Sequence, residues 1–167
     1  MAIPAAAEPH EGVEYLDLEQ TPLAVIRTAG VSLDSMPSAV DSAFGALGAA
    51  IGDGAFTPAG PALAVYHGDP MATFDLELGF PVTATLDGPI RVGGKEIEPG
   101  SLDARPVAAT THVGGYDGLG GAWERVVTGA AADGHQPTGV WIEVYVTDPS
   151  SSTAENLRTD LYMPIDS

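Results

Sequence analysis

Apolar and polar positions follow one period and then another along this chain, and the change of period happens twice. After Glu14-Tyr15-Leu16-Asp17-Leu18, the run from Pro22 to Gly30 is β-like, rich in Leu, Val and Ile and closed by glycine. From Met36 to Ile51 the apolar positions Val40, Phe44, Leu47 and Ile51 recur every three or four residues, which makes one helical stripe. Ser35 and Pro37 mark its start and Gly52-Asp53-Gly54 its stop. Two strands follow, Pro61 to Tyr66 and Thr73 to Val82. In the second, Phe74, Leu76, Leu78 and Phe80 alternate with Asp75, Glu77 and Gly79, so one face is buried and one exposed.

The same grammar then returns. Arg91 to Ile97 reads as a hairpin about Gly93-Gly94, and Pro106 to Gly114 parallels Pro22 to Gly30 in polarity and in its closing glycine. Leu119, Trp123, Val126 and Val127 form a second helical stripe that Gly134 stops. Gly139 to Tyr145 runs into Asp148-Pro149, matching Tyr66 and Asp69-Pro70 of the first copy, and Leu157 to Pro164 answers the strand that contains Leu78 to Pro81. Neither unit is large enough to bury its own apolar face. The expected fold class is therefore α+β: duplicated β-α-β-β units, about 13–83 and 88–166, join in one antiparallel sheet with two helices packed on one face and a ligand groove on the other. Residues 1–12 are expected to be a loose tail, and Thr83 to Ser101 a linker apart from its hairpin.

The strand from Val140 to Val146 carries the chemistry. Its Val140, Ile142, Val144 and Val146 share one face, while Trp141, Glu143 and Tyr145 share the other. If the wholly apolar face meets the helices, a carboxylate flanked by two aromatic rings looks into the groove. That combination suits a lipophilic cation, because the rings supply area and cation–π attraction and the carboxylate neutralises the charge. The competing reading makes Glu143 a solvent-facing sheet residue beside two surface aromatics. His112, in Thr111-His112-Val113-Gly114-Gly115-Tyr116, is a candidate base or ligand contact, although a lone histidine at a strand end more often has a structural hydrogen bond. The four histidines show no metal-ligand spacing, so neither a metal nor a cofactor is expected. Gly114-Gly115 matches no phosphate-binding fingerprint.

Composition narrows the partners. With 23 acidic residues against 6 Lys and Arg, the formal net charge is −17, which repels a phosphate backbone and argues against direct nucleic-acid binding. Cysteine is absent, which excludes disulfides and a thiol nucleophile and suits a reducing, cytoplasmic compartment. No stretch approaches the roughly 18 apolar residues of a membrane span, and the N-terminus lacks the basic and apolar regions of a secretory signal.

His112-Val113-Gly114-Gly115-Tyr116 followed by Leu119 and Trp123, then Glu143-Val144-Tyr145, Asp148-Pro149 and a closing Leu161-Tyr162-Met163-Pro164, resembles the GyrI-like or effector-binding domain family from about Tyr15 to Ile165. The resemblance implies a two-repeat sheet with a central pocket for drug-like, often cationic and aromatic, small molecules, here in stand-alone form. It carries the family's pocket glutamate onto Glu143 and its pocket aromatics onto Trp123, Trp141 and Tyr145, with Tyr116 and His112 beside them. The Gly- and Ala-rich first helix departs from the family pattern. Some relatives are linked to hydrolysis of strained natural products, which would need Glu143 as base and Tyr145 or Tyr116 to orient the electrophile. Others protect DNA gyrase by protein contact. Small-molecule binding, hydrolysis and a gyrase partner are thus the three expectations, in that order.

Overall fold

The computed structural model describes residues 10, 12–68, 72–115, 118–147 and 153–166. In chain order the elements are β1 (Glu14–Leu18), β2 (Thr21–Val31), α1 (Met36–Gly52), β3 (Leu63–Gly68), β4 (Phe74–Pro81), β5 (Ile90–Val92), β6 (Lys95–Leu102), β7 (Arg105–Val113), α2 (Leu119–Ala132), β8 (Gln136–Pro137), β9 (Val140–Tyr145) and β10 (Arg158–Asp166). Ten strands make one antiparallel sheet in the order β1-β7-β10-β9-β3-β4-β2-β6-β5, with β8 on β10. The α+β class and the two helices on one face are as the sequence predicts. Asp69-Pro70, Tyr116, Asp148-Pro149 and Ser150 to Ser152 lie outside the described residues.

Strands β3, β4 and β2 with α1 form one half and β9, β10 and β7 with α2 the other, meeting at the β3–β9 seam. The hairpin at Gly93-Gly94 is present, but β6 is more than part of a linker. It pairs with β2 from Thr21 opposite Leu102 to Val25 opposite Glu98 and extends the sheet.

Two short links set the shape of that sheet. β1 and β2 stand six places apart in the strand order, as do β7 and β6, a distance of about 29 Å if the sheet were flat. Yet Glu19-Gln20 alone joins the first pair and Asp103-Ala104 the second, and three Cα steps reach at most about 11 Å. The sheet must roll so that its two ends approach. The links cross the same gap, since Leu18 pairs with Arg105 on one bank and Thr21 with Leu102 on the other.

The helix-free face lies inside this roll. It holds Leu18, Leu23, Val25, Leu63, Val65, Leu102, Val107, Ala109, Ile142, Val144 and Tyr162, all buried with no helix over them. Burying a Val- or Leu-sized side chain contributes about 1.5–3 kcal/mol, so this interior is a core in its own right. On the outer face α1 packs Ala43, Leu47 and Ala50 over Ile26, Leu76 and Leu78, and α2 packs Val126 and Ala130 over Ala108 and Met163.

Polar groups occupy one end of the roll. Asp160, fully buried, accepts from Thr111 Oγ1 (2.8 Å), from Arg158 Nε and Nη2 (3.0 and 2.9 Å) and from the Tyr162 hydroxyl (3.2 Å). His10 joins them, its backbone N–H donating to Thr111 Oγ1 at 2.8 Å and its ring standing edge-on to Tyr162. His10 is 6% exposed.

Candidate functional site

The expectation that Trp141, Glu143 and Tyr145 point away from the helices is corrected by the packing. Trp141 touches the clusters under both helices, and Trp123 of α2 reaches Glu143 directly. The reason is the roll: the apolar face of β9 packs against the sheet's own interior, which frees the aromatic and acidic face to meet α1 and α2. The site lies between the two helices, at the seam.

Register places Glu143 directly opposite Ala64 of β3. Two residues beyond each member of that pair stands a tyrosine, Tyr66 on β3 and Tyr145 on β9. Both phenols donate to the same oxygen, Glu143 Oε1, each at 2.8 Å. The indole N–H of Trp123 donates to Oε2, also at 2.8 Å. Glu143, 4% exposed, is thus held by both halves of the sheet and by α2, and three donors satisfy a charge that burial would otherwise penalise by several kcal/mol.

Rings complete the enclosure. Trp141 stands edge-on to Trp123, with centroids 5.5 Å apart and planes at 88°, and its own N–H is tied to the Gly68 carbonyl at 2.9 Å. Tyr66 also touches Met36 Sδ at the start of α1. The expected open groove is closed over the carboxylate. The surface depressions of about 640 Å³, bordered by Phe56, Leu86 and Ile90, and of about 470 Å³, along Gly121 to Gly129 of α2, both lie away from Glu143. Neither has polar groups converging on a buried charge, as Tyr66, Tyr145 and Trp123 converge on Glu143 at the seam.

Burial, followed by the facing Glu143 charge, pushes the phenols of Tyr66 and Tyr145 well above their ordinary value of 10.0. At neutral pH both are therefore protonated O–H donors. A phenol whose pKa is higher folded than unfolded stabilises the fold below about pH 10, and that contribution disappears as pH rises through the folded value. In an alkaline titration followed by tyrosinate absorbance, Tyr66 and Tyr145 should ionise late and together with unfolding. Replacing both by Phe should reduce the late amplitude; an unchanged late phase would mean that other tyrosines produce it.

Of the residues the sequence singled out, Trp123, Trp141 and Tyr145 converge on Glu143. His112 does not. It sits on β7, two strands from Tyr145 along one row, and its Nε2–H donates to the Gly115 carbonyl at 2.7 Å. Tyr66 was missed, although its match to Tyr145 in the repeat was the signal that could have found it. Among the described residues no three His, Asp or Glu side chains gather as a metal site, and no helix is long and apolar enough to cross a membrane.

The model of the GyrI-like small molecule binding domain matches residues 4–166, nearly the whole chain. The chain belongs to this family. By sequence, no curated protein matches it. Among solved structures, the C-terminal domain of EcmrR is similar at 15% identity and TM-score 0.75, over 92% of this chain and 96% of that one. A hydrolase encoded by lin2189 from Listeria innocua is similar at 14% identity and TM-score 0.65, over 96% and 94%. SAV2435 bound to tetraphenylphosphonium is similar at 11% identity and TM-score 0.63, over 93% and 94%. At these identities the likeness is one of fold. As a GyrI-like domain the chain is a small-molecule binding domain.

Proposed function

We propose that this GyrI-like domain binds amphipathic, aromatic organic cations, with Glu143 as the charge partner, and so senses or sequesters them. One observation carries the reading: a carboxylate 4% exposed stands among four aromatic side chains, Tyr66, Trp123, Trp141 and Tyr145, at the seam of two structural halves. A cation entering there trades the Trp123 hydrogen bond for full charge neutralisation and gains the faces of the rings. The net charge of −17 favours approach of positive ligands. SAV2435, similar in fold, is bound to such a cation in its structure. The absence of cysteine fits a cytoplasmic location.

Hydrolysis is the second reading. Two protonated phenols beside a carboxylate can orient an electrophile while the carboxylate activates water, and one protein of similar fold is described as a hydrolase. Three donors already engage Glu143 and leave one lone-pair site, on Oε2, to receive a proton, so hydrolysis asks that single site both to meet water and to take its proton. Binding needs no such proton transfer.

Titration of the protein with tetraphenylphosphonium, followed by tryptophan fluorescence, tests the first reading. Saturable one-to-one quenching from Trp123 and Trp141 is expected, and an uncharged ring system of similar shape should bind at least tenfold more weakly. Equal affinity for the two would remove the case for a charged anchor. Catalytic loss of an electrophilic aromatic ligand, instead of stoichiometric protection, would move the assignment to hydrolysis.

A further inference from the structure

A hydroxyl with no partner lies next to the charged anchor. Thr159 of β10 is fully buried, and among the described residues its Oγ1 finds no hydrogen-bond partner. An unsatisfied buried hydroxyl is costly, and native structures seldom keep one without a reason. Its neighbours are fixed by register. Thr159 lies opposite Tyr145 of β9 on one side and opposite His112 of β7 on the other. Residues directly opposite in adjacent strands share a face, so Thr159 projects to the same side as Tyr145 and Glu143, toward the helices.

We infer that Thr159 is a second recognition point of the Glu143 site, donating its hydroxyl to a carbonyl oxygen on the ligand. The inference rests on the proposed cation-binding reading and adds a chemical class to it: aromatic cations that also carry a carbonyl group. Adjacent strands are about 5 Å apart, so the hydroxyl sits one strand beyond Tyr145 and within the span of a multi-ring ligand. Tyr66, Tyr145 and Trp123 all direct their donors at Glu143, whereas the Thr159 hydroxyl has no acceptor among the described residues, so it adds an uncommitted donor beside the anchor. His112 forms the far wall of this extension. Its Nε2–H is held by the Gly115 carbonyl, an acceptor only, so the ring stays fixed beside β10.

A matched pair of probes tests this, tetraphenylphosphonium and the same cation with an acetyl group on one ring. Wild-type protein should bind the acetyl probe about five- to tenfold more tightly, the range that one hydrogen bond to a waiting donor supplies. Thr159→Val keeps the shape and removes the hydroxyl. It should abolish the preference while leaving tetraphenylphosphonium affinity and melting temperature unchanged or slightly raised, because an orphan polar group has been deleted. Thr159→Ser should keep the preference, and it carries the test should the valine variant fold poorly. No preference in wild type, or a preference that survives Thr159→Val, overturns the inference and leaves the Glu143 reading intact. Failure of wild type to bind either cation overturns both.

Discussion

Glu143→Gln should weaken tetraphenylphosphonium binding by at least about thirtyfold while leaving neutral aromatic ligands and the melting temperature nearly unchanged. The first figure follows from removing one partner of a buried charge pair, which costs about 2–5 kcal/mol. The second follows from what an amide can do among these donors. Turned so that its oxygen takes the Trp123 N–H, Gln presents its NH₂ to Tyr66 and Tyr145, and phenol oxygens, unlike the indole, can accept as well as donate. Each of the three groups then keeps a hydrogen bond to the side chain, the phenol O–H protons turn away from it as Tyr66 can toward Met36 Sδ, and the charge is lost. Glu143→Ala would be a poor substitute, since it strands three buried donors and mixes destabilisation with loss of binding. Isothermal titration with the cation and with an uncharged analogue, on protein shown by thermal melting to be folded, separates the two contributions. A glutamine variant that binds the cation as well as wild type would end the anchor role and leave a merely aromatic pocket.

The reading of the sequence went furthest where period alone decides structure. The stripe ending in Leu47 and Ile51 gave α1 almost to the residue, and the alternation from Phe74 to Phe80 gave β4 with its buried face correctly chosen. The expectation of a repeat came from turn residues kept at the same offsets in both halves of the sequence. What periodicity could not tell was which side of β9 the helices cover. Val140, Ile142 and Val144 look like a helix-facing surface, and in a flat sheet they would be one. The roll that reverses this comes from two links of two residues each, between strands that stand far apart in the sheet, and strand order is not written in local sequence.

The site shows the same division. Glu143, Trp141 and Tyr145 were recognisable as a set because one strand aligns them, and Trp123 came from the family resemblance. Tyr66 belongs equally to the cluster, yet it is 77 residues away from Glu143 and joins it only through the seam. The repeat offered the clue: a residue two places beyond the seam pair in one half has its counterpart two places beyond it in the other. Thr159 had no sequence signature at all. A threonine in a strand is ordinary, and only the missing hydrogen bond under complete burial separates it from its neighbours.

Gly79→Ala tests the rolled sheet in the same way, through a contact no local pattern reveals. Gly79 lies on β4 between Val25 of β2 and Leu63 of β3, on the inner face of the sheet. A Cβ added there would stand 1.9 Å from the Ala24 carbonyl oxygen and 2.9 Å from Val25 Cα, both backbone atoms that cannot swing aside as a side chain can. Strand β2 would have to separate from β4 by more than an ångström, in the middle of the ladder that carries half of the core. The expected cost is about 3–5 kcal/mol, hence a melting temperature lower by roughly 10 °C or more, or loss of soluble protein. Gly88→Ala is the control, since a Cβ there meets nothing within 4 Å, and it should shift the melting temperature by no more than about 2 °C. Tetraphenylphosphonium affinity of any folded Gly79→Ala protein should fall as well, because β3, which carries Tyr66, is paired to the strand that must move. A variant as stable as wild type would mean that β2 and β4 do not approach so closely, and the tight curl of the sheet about its own interior would have to be given up.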